Sequence, residues 1–187
     1  VTKSTTAPST KDAIAAEARR QFMSAGYAAT SVRGVAGAAG IDPALVIRHF
    51  GSKEQLFLET VDVEGPFAPA LDGPPAGLGE RLVALVVDER LSTVLRTPYR
   101  AMIRATDSAA VRERLVAAME ATLARPLAAR LEGPDAELRA HLVAAQVGGL
   151  LEALVILEDP VVVDADPAAV VRHYGRAMST LLTPGSG

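Results

Sequence analysis

A helix stop and a helix start stand two residues apart near residue 40. Gly40 closes a short segment that Thr30 opens as a cap, and a glycine there supplies a left-handed backbone without steric cost. Asp42-Pro43 then reopens the helix: the carboxylate accepts a first-turn amide, and the proline ring is already set to a helical φ. Two short helices joined this tightly cross steeply and must pack on each other. Ala36 is small where they approach, and Val35, Ala39, Ile41 and Val46 supply the apolar positions around it. This is the spacing of a helix-turn-helix, whose second helix enters the major groove of DNA. Any two short packed helices share the loose pattern.

The same punctuation organises the rest. Residues 1–10 read as a disordered tail. A first helix is predicted over 11–25, with Ile14, Ala18, Phe22 and Ala25 on one face, Ser9 or Thr10 as its cap and Gly26 as its end. The helix from Pro43 reaches about His49, and Ser52-Lys53-Glu54-Gln55 is a capping box opening another, to about Glu64. Residues 65–79 hold four prolines and four glycines, which predicts an irregular connection. Helices are predicted beyond it over about 78–92, 98–106, 109–131, 135–158 and 167–182, with Pro126 kinking or splitting the third and Asp166-Pro167 repeating the start signal. Val161-Val162-Val163 is too short for a convincing strand. The predicted class is all-α. It has a three-helix helix-turn-helix domain over 11–64, a Pro/Gly-rich connection over 65–79 and a helical domain over 80–187.

Composition removes several chemistries. There is no cysteine, which excludes disulfides, thiolate metal sites and thiol nucleophiles. The three histidines, at 49, 141 and 173, have no metal-ligand spacing, and no nucleophile–base pair or phosphate loop appears. No catalytic residue, metal or cofactor is therefore expected. The longest apolar stretch, from Val147 to Leu157, is broken by Glu152 and falls short of the ~20 residues of a membrane span. The first ten residues lack an apolar signal core. A cytoplasmic protein without a membrane partner is expected. Aromatics are only 4%, so the core must come mostly from Ala, Leu and Val. The formal net charge is −3, but residues 1–60 carry seven basic and five acidic side chains while the other 127 carry 12 and 17. A slightly basic module joined to an acidic body is compatible with holding DNA at one end.

From Ile14 to Leu58 the chain resembles the DNA-binding domain of the TetR family of bacterial transcriptional regulators. The resemblance rests on Phe22…Gly26-Tyr27…Thr30-Ser31-Val32, on Val35-Ala36…Ala39-Gly40-Ile41, and on His49-Phe50-Gly51-Ser52-Lys53-Glu54…Leu56. It implies that the helix from Pro43 reads DNA. Lys53, in the first turn of its helix, suits a phosphate shared with backbone amides. Arg48, turned away from Val46 and Phe50, suits a phosphate or a guanine edge, and His49 is a further donor. Arg33 and the Thr30 hydroxyl are phosphate candidates, while Pro43, Ala44 and Leu45 offer apolar contact to thymine methyls. Gly26, Tyr27 and Phe50 read as structural. The family usually carries an aromatic, most often tyrosine, where this chain has Ile47, and often another where it has Arg48, so a contact commonly made by that hydroxyl is lost.

The resemblance also implies a C-terminal region that binds a small effector and forms a homodimer on a palindromic operator. The predicted pocket residues are Tyr99, Met102, Ile103, His141 and Gln146, and the effector is expected to be mostly apolar. The predicted dimer residues are Val147, Leu150, Leu151 and Leu154 on one helix and Val171, Tyr174 and Met178 on the last. The first of these helices is apolar over so wide an arc that it suits burial on two sides; a buried central helix in a monomer fits the same arc. The leading expectation is a ligand-responsive regulator that represses. The alternative is an all-helical carrier or enzyme with an incidental helix-turn-helix.

Overall fold

The computed structural model describes residues 9–61 and 67–183. Among these residues there are helices and no strand, and they divide into two compact units. One unit holds residues 9–61 with Ala101–Arg114; the other holds 67–100 with 115–183. The disordered tail expected over 1–10 falls, for residues 1–8, outside the described residues, as does the helix end expected near Glu64. Ser9 and Thr10 belong to the first helix rather than to a tail.

In the first unit α1 (Thr10–Ala29) opens with a reciprocal cap. The Ser9 hydroxyl accepts from the Asp12 amide at 3.2 Å, and the Asp12 carboxylate accepts from the Ser9 amide at 3.0 Å. The box expected at Ser52 is only half formed: its hydroxyl accepts from the Gln55 amide, while the Gln55 side chain turns to Glu59. Ile14, Ala18 and Phe22, four apart, are fully buried. Gly26, at φ +83°, breaks the helical course of α1. Its carbonyl then needs a partner, and Thr30 supplies two, an amide at 3.3 Å and a hydroxyl at 2.9 Å. Thr30 therefore closes α1, and Ser31 caps α2 (Val32–Ala39) in its place. With α3 (Pro43–Phe50) and α4 (Lys53–Thr60) the unit closes over Val35, Ala36, Val46, Phe50, Leu56 and Phe57. Phe22 and Phe57 meet edge to face at 5.0 Å. Ala101–Arg114, expected in the second domain, joins this unit, and the Ser108 hydroxyl donates to the Glu54 carboxylate.

The second unit contains α5 (Ala68–Leu71), α6 (Leu78–Val87), α9 (Arg125–Ala128), α10 (Ala136–Val155), α11 (Pro160–Val163) and α12 (Pro167–Leu182). It shares α7 (Thr97–Ile103) and α8 (Ala109–Met119) with the first by sequence. The Pro/Gly-rich connection is not wholly irregular: α5 forms because Pro69 falls in a first turn, where no amide is required. Pro126 does not split its helix. A π turn, Glu120–Ala124, precedes it, with the Arg125 amide bonded to the Glu120 carbonyl five residues back. The wider turn accommodates the proline ring and its missing donor. A second π turn, Ser92–Arg96, stands the same distance before Pro98. α11 was not expected, although Asp159-Pro160 is a third copy of the start signal seen at 42–43 and 166–167.

α10 lies at the centre of this unit, with Ala140, Val143, Val147, Leu151 and Val155 fully or almost fully buried. It is the one helix among the described residues with the length and apolarity of a membrane span. Its apolar side is used by the core. Buried Arg139 on α10 donates to the Leu181 and Thr183 carbonyls at 3.1 and 3.3 Å, to the Glu132 carbonyl, and to Asp135 at 2.9 Å. It thereby satisfies carbonyls at the end of α12 that no helical amide can reach. α6 and α12 cross at Gly79 and Gly175: a methyl on Gly79 would strike the Gly175 carbonyl, and one on Gly175 would lie 2.6 Å from the Glu80 Cα. Because the obstruction is backbone, Gly79→Ala and Gly175→Ala are each expected to destabilise this unit by ~1–3 kcal/mol, read as a lowered midpoint of chemical denaturation. Gly37→Ala, exposed on α2 with open space around it, is the control and is expected to stabilise by ~0.5–1 kcal/mol through helix propensity alone.

Candidate nucleic-acid interface and effector cavity

The turn between α2 and α3 is built from backbone. Gly40 sits at φ +70°, ψ +31°, its amide bonded to Gly37 at 3.2 Å and the Ile41 amide bonded to Ala36 at 3.0 Å. This pair of bonds is a Schellman ending. One residue on, the Asp42 carboxylate accepts from the Ala44 amide at 2.7 Å and starts α3. The angle between α2 and α3 is thus held by hydrogen bonds at both ends of a three-residue turn, with Val35, Ala36 and Val46 buried beneath.

The charges around this turn divide unevenly. Every acid in residues 9–61 is engaged. Asp12 bonds Ser9, Asp42 caps α3, Glu54 accepts from Ser108, and Glu59 pairs with Lys11 at 3.3 Å. Hydrogen bonds from Arg20 and Gln21 hold Glu17 down to about 2. The cations are engaged only in part. Arg19 donates to the Thr60 carbonyl at 3.0 Å and Arg20 pairs with Glu17. Among the described residues, Arg33, Arg48 and His49 make no hydrogen bond or ion pair, and all three are exposed. Lys53 is half-buried: its ammonium lies 4.3 Å from the centroid of the Tyr27 ring and 3.5 Å from the Ala28 carbonyl. Burial lowers its pKa. Tyr27 in turn is held edge-on to Phe57 at 5.0 Å.

On α3, Val46 and Phe50 face the core. Pro43, Ala44, Arg48 and His49 are exposed and Leu45 is half-buried. Thr30 differs from the rest of the expected set: only 3% exposed, its hydroxyl is committed to Gly26.

In the second unit a cavity of about 270 Å³ is lined by Tyr99, Leu115, Met119, Glu120, His141 and small residues of α10. Of the five residues expected at a pocket, Tyr99 and His141 line it. Met102 and Ile103 fall in the first unit, and Gln146 is not among the residues that line the cavity. The cue missed in the sequence is Leu115-Val116…Met119, apolar at helical spacing on α8, with Val116 exposed. The Tyr99 hydroxyl donates to the Gly148 carbonyl at 3.1 Å. A 2.7 Å bond from Arg125 holds the Glu120 carboxyl below its usual range, with His141 adding to the effect. A second, more apolar groove of about 420 Å³ runs along α10, α11 and α12, past Ala153, Val161, Val170, His173 and Ala177. The dimer residues expected from sequence fare differently: Val147, Leu150, Leu151 and Met178 are buried in the protomer's own core, because α6, α9 and α12 surround α10. Leu154, Val171 and Tyr174 are half-buried.

A tight turn that aims an exposed short helix, with the surrounding anions consumed and cations left over, defines a helix-turn-helix protein of the transcription-regulator class. Residues 14–60 match the model for bacterial regulatory proteins of the tetR family, and residues 76–182 match the tetracyclin repressor-like C-terminal domain. The chain belongs to the TetR family. It is 32% identical over 140 residues, 67% of its length, to the HTH-type transcriptional regulator TcmR of Streptomyces glaucescens, and the match spans only 62% of that relative. Among solved structures, a TetR-family regulator of Streptomyces coelicolor is 33% identical, with a TM-score of 0.68 over 94% of this chain and 95% of that one. Salmonella enterica GusR, at 22% identity and a TM-score of 0.65 over 96% and 97%, shares the fold.

Burial pushes the Tyr99 hydroxyl up to about 12 from 10.0, and raises Tyr27 and Tyr174 as well. A raised folded pKa contributes stability that is complete below pH ~10 and is lost as pH climbs through the folded value. Phenolate absorbance followed against pH is therefore expected to rise late and together with loss of helix, and Tyr99→Phe to remove the latest step.

Proposed function

We propose that this regulator binds a palindromic double-stranded operator as a homodimer and represses transcription until a small, mostly apolar effector enters the cavity beside Tyr99. In this reading DNA binding belongs to the 11–64 domain, effector binding and dimerisation belong to 80–187, and the protein works in the cytoplasm. The partition of charge around α3 carries the reading, because phosphates supply the anions the protein withholds. Lys53 and the first-turn amides of α4 take one phosphate, and Arg33 takes another. Arg48 sits near the middle of the outward arc of α3, where a guanine edge is in reach, and His49 adds a donor. Thr30 acts by holding the α1–α2 junction.

The cavity supports the effector half through its apolar lining, with Glu120 and His141 as its ionisable groups. Repression is supported by the fold shared with NalD of Pseudomonas aeruginosa, described as the secondary repressor of a multidrug efflux pump (21% identity, TM-score 0.62, 90% of this chain and 94% of that one). The groove along α10, α11 and α12 supports a two-fold contact, since a second copy would cover it.

Binding is measured on duplexes selected from a random-sequence pool by the full chain. A palindromic consensus is expected, with affinity falling steeply as salt rises. Lys53→Gln should weaken all duplexes alike and lower the salt slope by about one, whereas Arg48→Ala should relax preference at one base pair by ~1–3 kcal/mol. A chain that enriches no sequence overturns the reading. Ala177→Glu, exposed in the protomer, is expected to convert dimer to monomer in sedimentation, and a monomeric parent at micromolar concentration overturns the dimer. An effector that stabilises the protein must weaken DNA binding by the factor by which DNA weakens its own, since the coupling is reciprocal.

A further inference from the structure

We infer that Ile47 is a base-reading residue that selects the 5-methyl group of thymine in the operator half-site; the inference rests on the proposed DNA-binding role of α3. Ile47 is 45% exposed on a helix whose other large apolar residues are buried or half-buried. With Ala44 and Arg48 it shares one outward arc about 100° wide, since successive helical residues turn by ~100°. The arc is bounded on the other side by Val46 and Phe50 in the core.

Consider what α3 can say to a base edge. From Pro43 to Ile47 there is no polar side chain, and Asp42 is occupied by the Ala44 amide. Hydrogen-bonded reading is confined to Arg48 and His49, the last two exposed side chains of the helix. The first and middle turns have only methyl and methylene groups to offer. The major-groove edge presents one apolar group, the thymine methyl. A β-branched side chain with one strongly preferred χ1 in a helix presents its methyls in a fixed direction, so it discriminates position as well as polarity. Guanine or cytosine opposite Ile47 would leave a base donor or acceptor desolvated against hydrocarbon, which is unfavourable. The surrounding cations Arg33, Arg48 and Lys53 bring this apolar patch against a polyanion, which favours DNA over an apolar protein partner.

The test uses the full chain and the duplex it selects from a random pool. Thymines in the half-site are replaced one at a time by deoxyuridine, which keeps every hydrogen bond and removes only the methyl. For the parent protein one substitution is expected to weaken binding about fourfold, the effect of exposing one methylene-sized group. Ile47→Ala should bind the thymine duplex about as weakly as the parent binds that uridine duplex, and should no longer distinguish the two. Ile47→Val, which keeps the branch, should retain part of the discrimination. If the parent binds its selected duplex but no uridine substitution matters, or if Ile47→Ala discriminates as the parent does, the inference is wrong while the DNA-binding role stands. If no duplex is selected, both fall. Because Ile47 is exposed, its replacement leaves the fold intact, and the uridine series on the parent protein is independent of any variant.

Discussion

The bond from the Ile41 amide to the Ala36 carbonyl closes a turn on which the geometry of the helix-turn-helix unit depends. It is made possible by the left-handed backbone at Gly40, where any other residue pays for a Cβ beside the carbonyl. With the Asp42 cap it leaves almost no freedom in the three residues between α2 and α3. Everything exposed on α3 is consequently exposed at a set angle to α2, and a helix of eight residues can act as a rigid probe. A longer or looser connection would place the same side chains without fixing their direction.

Around that turn the protein uses its carboxylates internally. They cap helices, pair with lysine or arginine, or accept a serine hydroxyl. Each such bond is modest in solvent, but together they have a consequence that no single pair has. They neutralise Lys11 and Arg20 and, among the described residues, leave Arg33, Arg48 and His49 uncommitted on and beside α3. A segment with a formal surplus of only two charges thereby presents a positive, directional surface. Lys53 belongs to the same design, its ammonium steadied by the Tyr27 ring, which the aromatic contact with Phe57 holds in place.

The second unit solves a different problem, which is to pack long helices with few aromatic residues. Small side chains let backbones approach, most closely where α6 and α12 cross at Gly79 and Gly175. The cavity beside Tyr99 is lined in part by Ala124, Ala144, Ala145 and Gly148, whose small side chains leave room. Both prolines inside helical stretches are preceded by π turns rather than breaks, so the helices continue past them.

The local elements of this protein were legible in sequence because their causes are local. Asp42-Pro43 and Asp166-Pro167 start helices through a bond two residues away, and Gly40 ends one through its own φ. The same rule, applied once more at Asp159-Pro160, would have found α11. The outward direction of Arg48 followed from periodicity, since it is turned away from Val46 and Phe50. What sequence could not decide was which apolar face meets which neighbour. Val147, Leu150, Leu151 and Met178 were expected at a partner interface because a wide apolar arc suits burial against both the own domain and a partner; within the protomer, packing among α6, α9, α10 and α12 already buries them. Thr30 looked like a cap for the following helix, and a kink four residues earlier drew its hydroxyl inward. The cavity has no signature in sequence, since it is lined by residues of four helical segments that only the folded unit brings together. Punctuation and periodicity act over a few residues and belong to the sequence; burial, cavities and the balance of free charge are sums over distant neighbours, and only the tertiary structure performs that sum.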